Sequence, residues 1–105
     1  MVQYSEPFGG RIREVLGEAR QTPNSIELLS ERRISHMTVR RMQKGYPPSS
    51  DLIIEFAEAI GRALEWTPKR KKELADDLLS MVESRARYFA SVRRSLTAHA
   101  RSVAV

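Results

Sequence analysis

A group of basic side chains between residues 32 and 44 is the part of the sequence best suited to binding a ligand. Arg32, Arg33, Arg40, Arg41 and Lys44 lie in this stretch, which contains no acidic residue. Basic runs of this kind bind polyanions such as the phosphate backbone of nucleic acids. Residues 51–65, by contrast, carry four carboxylates and one arginine. The charge pattern therefore predicts that one surface of the protein is positive.

The composition is that of a small, basic, folded domain. The chain has 105 residues, which is about the length of one domain. Hydrophobic residues make up 41% and charged residues 30%, so the chain as a whole is too apolar to be intrinsically disordered. The net charge of +5 and the isoelectric point of about 10.1 are typical of proteins that bind nucleic acids.

Several classes of protein are not expected. The sequence has no cysteine, which removes disulfides, thiolate nucleophiles and the usual zinc sites. Its two histidines, His36 and His99, are far apart, so we expect neither a metal site nor a cofactor. Glycine-rich phosphate loops and Ser-His-Asp arrangements are missing, so we do not expect an enzyme. No apolar run is long enough for a signal peptide or a membrane span, and we expect a cytoplasmic protein associated with the nucleoid.

Glycine and proline divide the first 68 residues into short segments with helical spacing of the apolar residues. A second helix is predicted from Asn24 as its N-cap, with Glu27 three residues later as in a capping box, to about Arg32. The first predicted helix precedes the break at 21–23 and has one apolar face, formed by Phe8, Ile12, Val15, Leu16 and Ala19.

The third predicted helix has the best-defined ends. Ser35 is its expected N-cap, and Gly45 follows its last turn, where a left-handed conformation favours glycine. At about 100° per residue, Val39 and Met42 lie on one side of this helix, and Ile34 just upstream is placed to join them in the core.

Two further helical segments complete the prediction. Ser49 is expected to cap a fourth helix that Gly61 closes, and Thr67-Pro68 begins a fifth segment that extends to about Ala98, as one helix or as two with a hinge near Ser84. Because no alternating strand pattern is present, the sequence predicts an all-α protein. We expect a fold of four to five helices with a C-terminal helical extension, in which residues 1–66 form a DNA-binding domain and residues 67–105 form the extension, a candidate dimerisation element.

Two short helices, 24–32 and 35–44, with a turn of two or three residues between them have the dimensions of a helix-turn-helix. The second has an apolar back and a basic, polar front, which suits insertion into the major groove of DNA. There, arginine binds guanine, a thioether contacts the thymine methyl group and lysine meets phosphate. The alternative is a solvated face of a bundle helix. The residues expected to read bases are His36, Met37, Arg40 and Arg41.

The sequence from Ile34 to Gly45, followed by Pro48-Ser49 and by residues 52–61, resembles the lambda-repressor-like (Xre/Cro) helix-turn-helix family. The resemblance covers residues 8–64, and the family positions it includes are Ser35, Val39, Gly45 and Pro48. It implies an all-helical fold that binds double-stranded DNA.

Three positions depart from the family pattern, which usually has Gln, Ala and Gly where this chain has Ser25, Leu29 and Arg33. Leu29 is bulky where the two helices normally approach closely, which bears on their crossing angle. Arg33 in a left-handed conformation would cost about 1 kcal/mol. Contacts with phosphate are expected from helix starts, from the end of the third helix and from the basic run 69–72, through Ser25, Ser35, Thr38, Lys44, Lys69 and Arg70.

We therefore expect a sequence-specific transcriptional regulator, a repressor that binds a pseudo-palindromic operator as a homodimer. The alternative is an antitoxin or adaptor whose main partner is another protein. A stripe with coiled-coil spacing runs from Ala75 to His99 and either packs on the core or pairs with a second chain. We expect residues 69–82 to complete the domain and residues 85–99 to pair, with dimer contacts at Val82, Phe89, Val92 and Leu96.

Overall fold

The computed structural model describes residues 4–82, and this part of the chain contains helices and turns but no strand. Four helices, α1 (Glu6–Ala19), α2 (Pro23–Leu29), α3 (His36–Gln43) and α4 (Ser50–Leu64), precede a fifth helical segment. This segment, α5, is helical from residue 68 through residue 82, the last one described. The predicted all-α class is confirmed. Within residues 4–82, no helix has the length and apolar character needed to cross a membrane.

The start of α2 corrects one prediction from the sequence. Thr22, not Asn24, is the N-cap, and its side chain accepts a hydrogen bond from the backbone N–H of Ser25 while the Ser25 side chain accepts one from Thr22. Pro23 occupies the first helical position, where its fixed φ fits and its missing N–H is not needed. The predicted capping box of Asn24 and Glu27 is therefore wrong.

The connection between α2 and α3 is longer than predicted. Six residues, 30–35, separate the two helices, because α2 ends at Leu29 and not near Arg32. The left-handed residues are Glu31 and Arg32, with φ of 56° and 64°, so Arg33 does not hold the strained position that the family pattern suggested. The buried Ser30 hydroxyl accepts a hydrogen bond from the backbone N–H of Ile34 at 3.2 Å, which helps to close the turn.

The predicted ends of α3 are confirmed. The Ser35 hydroxyl accepts a hydrogen bond from the backbone N–H of Thr38 at 3.1 Å, and Gly45 has φ of 96°. Gly45 also joins the C-terminal end of α3 to the start of α1, because its carbonyl accepts a 2.7 Å hydrogen bond from the backbone N–H of Ser5. The left-handed turn therefore both ends α3 and attaches it to α1.

Helix α4 begins after Ser49, as predicted, but it does not stop at Gly61. It continues to Leu64 and ends at Glu65, which has φ of 56°. Gly61 lies inside the helix, and the Lys71 side chain of α5 occupies the space where a Cβ would be. The glycine allows α5 to pack closely on α4.

One hydrophobic core joins all five helical segments. The side chains of Leu74, Ala75 and Leu78 bring α5 into this core. Polar contacts add to the packing of α5: Arg11 pairs with Asp77 at 3.2 Å and Lys71 with Glu58 at 3.3 Å. The largest fully buried side chains are Phe8, Ile12, Val15, Ile26, Ile34, Val39, Met42, Ile53, Phe56, Ile60 and Leu78.

Candidate nucleic-acid interface

Helix α3 has one buried side and one exposed side. Val39 and Met42 are fully buried, together with Ile34 from the preceding turn. The opposite side is open to solvent, which confirms the orientation predicted from the angular spacing. Its exposed side chains are Met37, which is 50% exposed, and Arg40, Arg41 and Lys44.

The cations on this exposed side are not neutralised by the rest of the described chain. Among residues 4–82, Arg40, Arg41 and Lys44 form no ion pair. The basic side chains that do pair with carboxylates lie elsewhere, on α1, in the turn before α3 and on α5. The charge of the α3 surface is therefore available to an external anion.

The position of α3 is set by contacts with α1 at its C-terminal end. The Arg13 guanidinium donates a hydrogen bond to the carbonyl of Gln43 and pairs with Glu6 at 2.6 Å. Arg13 thereby satisfies a carbonyl at the end of α3 that has no partner within the helix. These contacts leave little freedom for α3 to rotate about its own axis.

A contact between α2 and α3 fixes the position of the N-terminal end of α3. The Glu27 carboxylate accepts a hydrogen bond from the backbone N–H of His36 at 3.2 Å, and His36 Nδ1 lies 3.4 Å from the same oxygen. The pKa of Glu27 is lowered mainly by the hydrogen bond from this backbone N–H. Partial burial raises the pKa, while the His36 ring and Arg32 lower it further. The capping-box spacing had placed Glu27 at the start of α2. Its contact with His36 was not predicted, because local spacing in the sequence does not indicate a hydrogen bond that crosses the turn between α2 and α3.

Helix α2 and the turn that follows it are attached to α4. The Arg62 guanidinium donates a hydrogen bond to the carbonyl of Leu29 at 2.9 Å, and Arg33 lies 3.3 Å from Glu55. Leu29, which departs from the family pattern, is half-buried against the core. Helix α2 is therefore held by α4, while α3 is held by α1 and α2.

The hydroxyl groups expected to contact phosphate are already engaged in capping. Ser25 Oγ donates to the Thr22 carbonyl at 2.9 Å and accepts from the Thr22 N–H, and Ser35 Oγ lies 3.0 Å from Thr38 Oγ1. Ser35 and Thr38 are at the start of α3, next to the exposed basic side. Because Ser25 already donates its only hydroxyl proton, it would have to break the contact with Thr22 to donate to a phosphate.

The structure does not join the basic run 69–72 to α3. Lys69 and Arg70 are exposed at the start of α5, where the Arg70 guanidinium lies 4.8 Å from the centre of the Trp66 ring and 3.4 Å from Glu73. Lys71 pairs with Glu58 of α4. Within residues 4–82, the hydrogen bonds and ion pairs of this run are thus with α4 and with its own helix.

A shallow surface groove of about 350 Å³ extends the exposed side of α3 towards the start of α4. The groove is lined by Thr38 and Arg41 of α3, by Tyr46 and the 47–49 connection, and by Leu52 of α4. The Ser49 hydroxyl at the start of α4 makes no capping hydrogen bond. The candidate interface therefore continues beyond α3 itself.

The predicted dimer contacts lie mostly outside the described residues. Val82 is half-buried against the core, and Phe89, Val92 and Leu96 follow the last described residue. Pairing of residues 85–99 stays a prediction. Comparison of the chain with protein-family models, with curated proteins and with solved structures gave no match. Any functional assignment therefore depends on the sequence pattern and on the geometry described above.

Proposed function

We propose that the protein is a sequence-specific DNA-binding regulator that places α3 in the major groove of double-stranded DNA. The observation that carries the proposal is the surface of α3, where three cations without carboxylate partners among residues 4–82 lie opposite a fully buried apolar side. A helix that belonged only to the interior of a bundle would not need this concentration of unpaired positive charge.

The dimensions of α3 fit this role. An α-helix with its side chains is about 10–12 Å in diameter, close to the width of the major groove, and the eight residues of α3 make it about 12 Å long. Met37, Arg41 and Lys44 follow one another at four- and three-residue steps, so they form a row along the exposed side, with Arg40 beside it. Such a row offers its side chains to successive base pairs and to the flanking backbone.

Each side chain in the row suits a particular part of DNA. Arg40 and Arg41 can each donate two hydrogen bonds to the O6 and N7 atoms of guanine, and Met37 can contact a thymine methyl group. Lys44, at the end of α3, is placed to meet a phosphate. Because α1 and α2 hold α3 in place, little conformational entropy is lost when this surface binds.

We further propose that the protein acts as a homodimer on a pseudo-palindromic operator and that it represses transcription. One α3 contacts only a few base pairs, so two copies related by a two-fold axis are needed to specify a site of useful length. The apolar residues Phe89, Val92 and Leu96, which follow one another at coiled-coil spacing in the sequence, support pairing through the C-terminal segment.

Selection of bound sites from random duplex DNA tests this function. We expect a motif of two related half-sites about 10 base pairs apart, bound with an affinity that falls steeply as salt is raised, because lysine and arginine displace condensed counterions. Arg20→Ala provides a control, since Arg20 is an exposed cation at the end of α1 that forms no ion pair within residues 4–82. Loss of binding in the Arg40, Arg41 and Lys44 alanine variants but not in this control supports the proposal. Failure to enrich any duplex overturns it.

A further inference from the structure

The contact between Glu27 and His36 determines which nitrogen of the imidazole carries a proton. One oxygen of the carboxylate, Oε1, receives both the backbone N–H of His36 at 3.2 Å and the Nδ1 atom at 3.4 Å. An ionised carboxylate can only accept hydrogen bonds, so Nδ1 must be the donor. In a neutral imidazole the other nitrogen, Nε2, is then unprotonated and can only accept.

The His36 ring lies at the edge of the proposed DNA-binding surface. It stands in the first turn of α3, its side chain is 37% exposed, and Met37 and Arg40 are its neighbours on the same helix. The charged groups around the ring are Glu27 from α2, Arg32 in the turn and Arg40 one helical turn further along α3. Because Nδ1 is engaged with α2, the nitrogen left for an external partner is Nε2.

The proposed function, on which the following depends, makes that partner a base edge in the major groove. We propose that Glu27 is a positioning residue that fixes the tautomer of His36, so that the neutral ring accepts a hydrogen bond at Nε2 from adenine or cytosine. These two bases present an amino group in the major groove, on N6 and on N4 respectively, whereas guanine and thymine present acceptors in the corresponding place. The opposite tautomer would donate from Nε2 and would favour guanine or thymine.

Protonation of the ring reverses this preference. A charged imidazole carries protons on both nitrogens, so Nε2 becomes a donor while Nδ1 still donates to Glu27. The base selected at this one position should therefore pass from adenine or cytosine to guanine or thymine as the pH is lowered.

Nitrogen-15 NMR of the intact chain without DNA tests the tautomer directly. The variant His99→Asn removes the only other histidine, so the remaining imidazole resonances belong to His36. We expect the neutral ring to be protonated at Nδ1 in this background and in Glu27→Gln, whose amide oxygen can replace the carboxylate oxygen in both contacts. In Glu27→Ala the ring should shift towards the Nε2-protonated form. An Nε2-protonated ring with Glu27 present overturns the proposal.

Selection of duplex sites at pH 8.5 and at a lower pH tests the base reading. At pH 8.5 we expect a roughly tenfold preference for adenine or cytosine at one position of each half-site in the wild type and in Glu27→Gln. This preference should disappear in Glu27→Ala and His36→Ala, while the other positions of the motif stay unchanged. At a lower pH, where the ring is charged, the wild type should select guanine or thymine there, and thermal unfolding checks that each variant is folded.

The two measurements separate the failure of this inference from the failure of the proposed function. If the tautomer is as expected but no duplex is selected, the proposed DNA-binding function is wrong, and so is the proposed reading of a base by His36. If a motif is selected and Glu27→Ala leaves it unchanged, DNA binding stands and the positioning role of Glu27 is wrong.

Discussion

The backbone of Gly9 in α1 lies directly against the backbone of Gly45 at the end of α3. A Cβ atom on Gly9 would be 2.8 Å from the Gly45 nitrogen and 2.9 Å from its Cα. Backbone atoms on both sides cannot move aside as a flexible side chain can. This close approach positions the C-terminal end of the proposed DNA-binding helix relative to α1.

Gly9→Ala is therefore expected to destabilise the fold by about 1–3 kcal/mol, as overpacking does elsewhere, and to displace α3. Gly17→Ala is the matched control in the same helix, because a Cβ there would have no neighbour within 4 Å. This control should be stabilised by about 0.5–1 kcal/mol from helix propensity. Urea denaturation of both variants measures the difference. Equal stabilities would show that α1 and α3 can separate without cost.

Arg41→Ala and Lys44→Ala should weaken DNA binding in different ways. Loss of Arg41 removes a bidentate contact with a base, so we expect a loss of about 1–3 kcal/mol for the selected site and a relaxed choice of base, with a smaller effect for Arg40→Ala. Loss of Lys44 removes a phosphate contact and should weaken binding to all sequences alike, reducing the salt dependence by about one counterion. Titrations of selected and scrambled duplexes at several salt concentrations measure both effects. An unchanged motif in Arg41→Ala would assign base reading to another residue.

The contact between Glu27 and His36 should make part of the stability depend on pH. In the folded protein the pKa of Glu27 is lowered from its ordinary value of 4.5, mainly by the hydrogen bond from the His36 backbone. The unfolded chain then binds the proton more tightly, so this contribution to stability is present above pH 4.5 and is lost as the pH falls through the lowered pKa.

The measurement is the difference in the free energy of unfolding between the wild type and Glu27→Gln. The variant keeps a side-chain oxygen that can accept the hydrogen bond from the backbone N–H of His36, but it cannot ionise. The pKa of Glu6 is also lowered, by Tyr4 and Arg13, but Glu6 is present in both proteins and its effect cancels. We expect the wild type to lose more stability than the variant between pH 6 and pH 3 in urea denaturation. If the free energies of unfolding of the two proteins changed in parallel with pH, the hydrogen bond between Glu27 and His36 would be contradicted.

A chain that ends at Ser84 should separate folding from dimerisation. Because the buried side chains Leu74, Ala75 and Leu78 are retained, we expect the shortened protein to fold as a monomer. The intact chain should sediment as a dimer and bind its operator much more tightly, since residues 85–99 are predicted to pair. A monomeric intact chain, or a shortened chain that still dimerises, would place the interface elsewhere.

Local chemistry was enough to predict where α3 begins and ends and which side it buries. Ser35 and Gly45 act on their immediate neighbours, and Val39 and Met42 follow the period of the helix, so none of these features depends on distant parts of the chain. The choice of N-cap for α2 was harder, because Thr22 and Asn24 are both good caps and Pro23 between them decides in favour of Thr22.

Tertiary contacts decided what the local pattern could not. Gly61 has the sequence character of a helix end, yet α4 passes through it, and the missing Cβ leaves the space that the Lys71 side chain of α5 occupies. Glu31 and Arg32 take left-handed conformations because the turn must deliver Ile34 to the core, where its burial outweighs the backbone cost. The hydrogen bond between Glu27 and His36 spans two helices, so it exists only once their packing has brought the residues together. Helix ends and faces depend on neighbours in sequence, whereas these three features depend on neighbours in space.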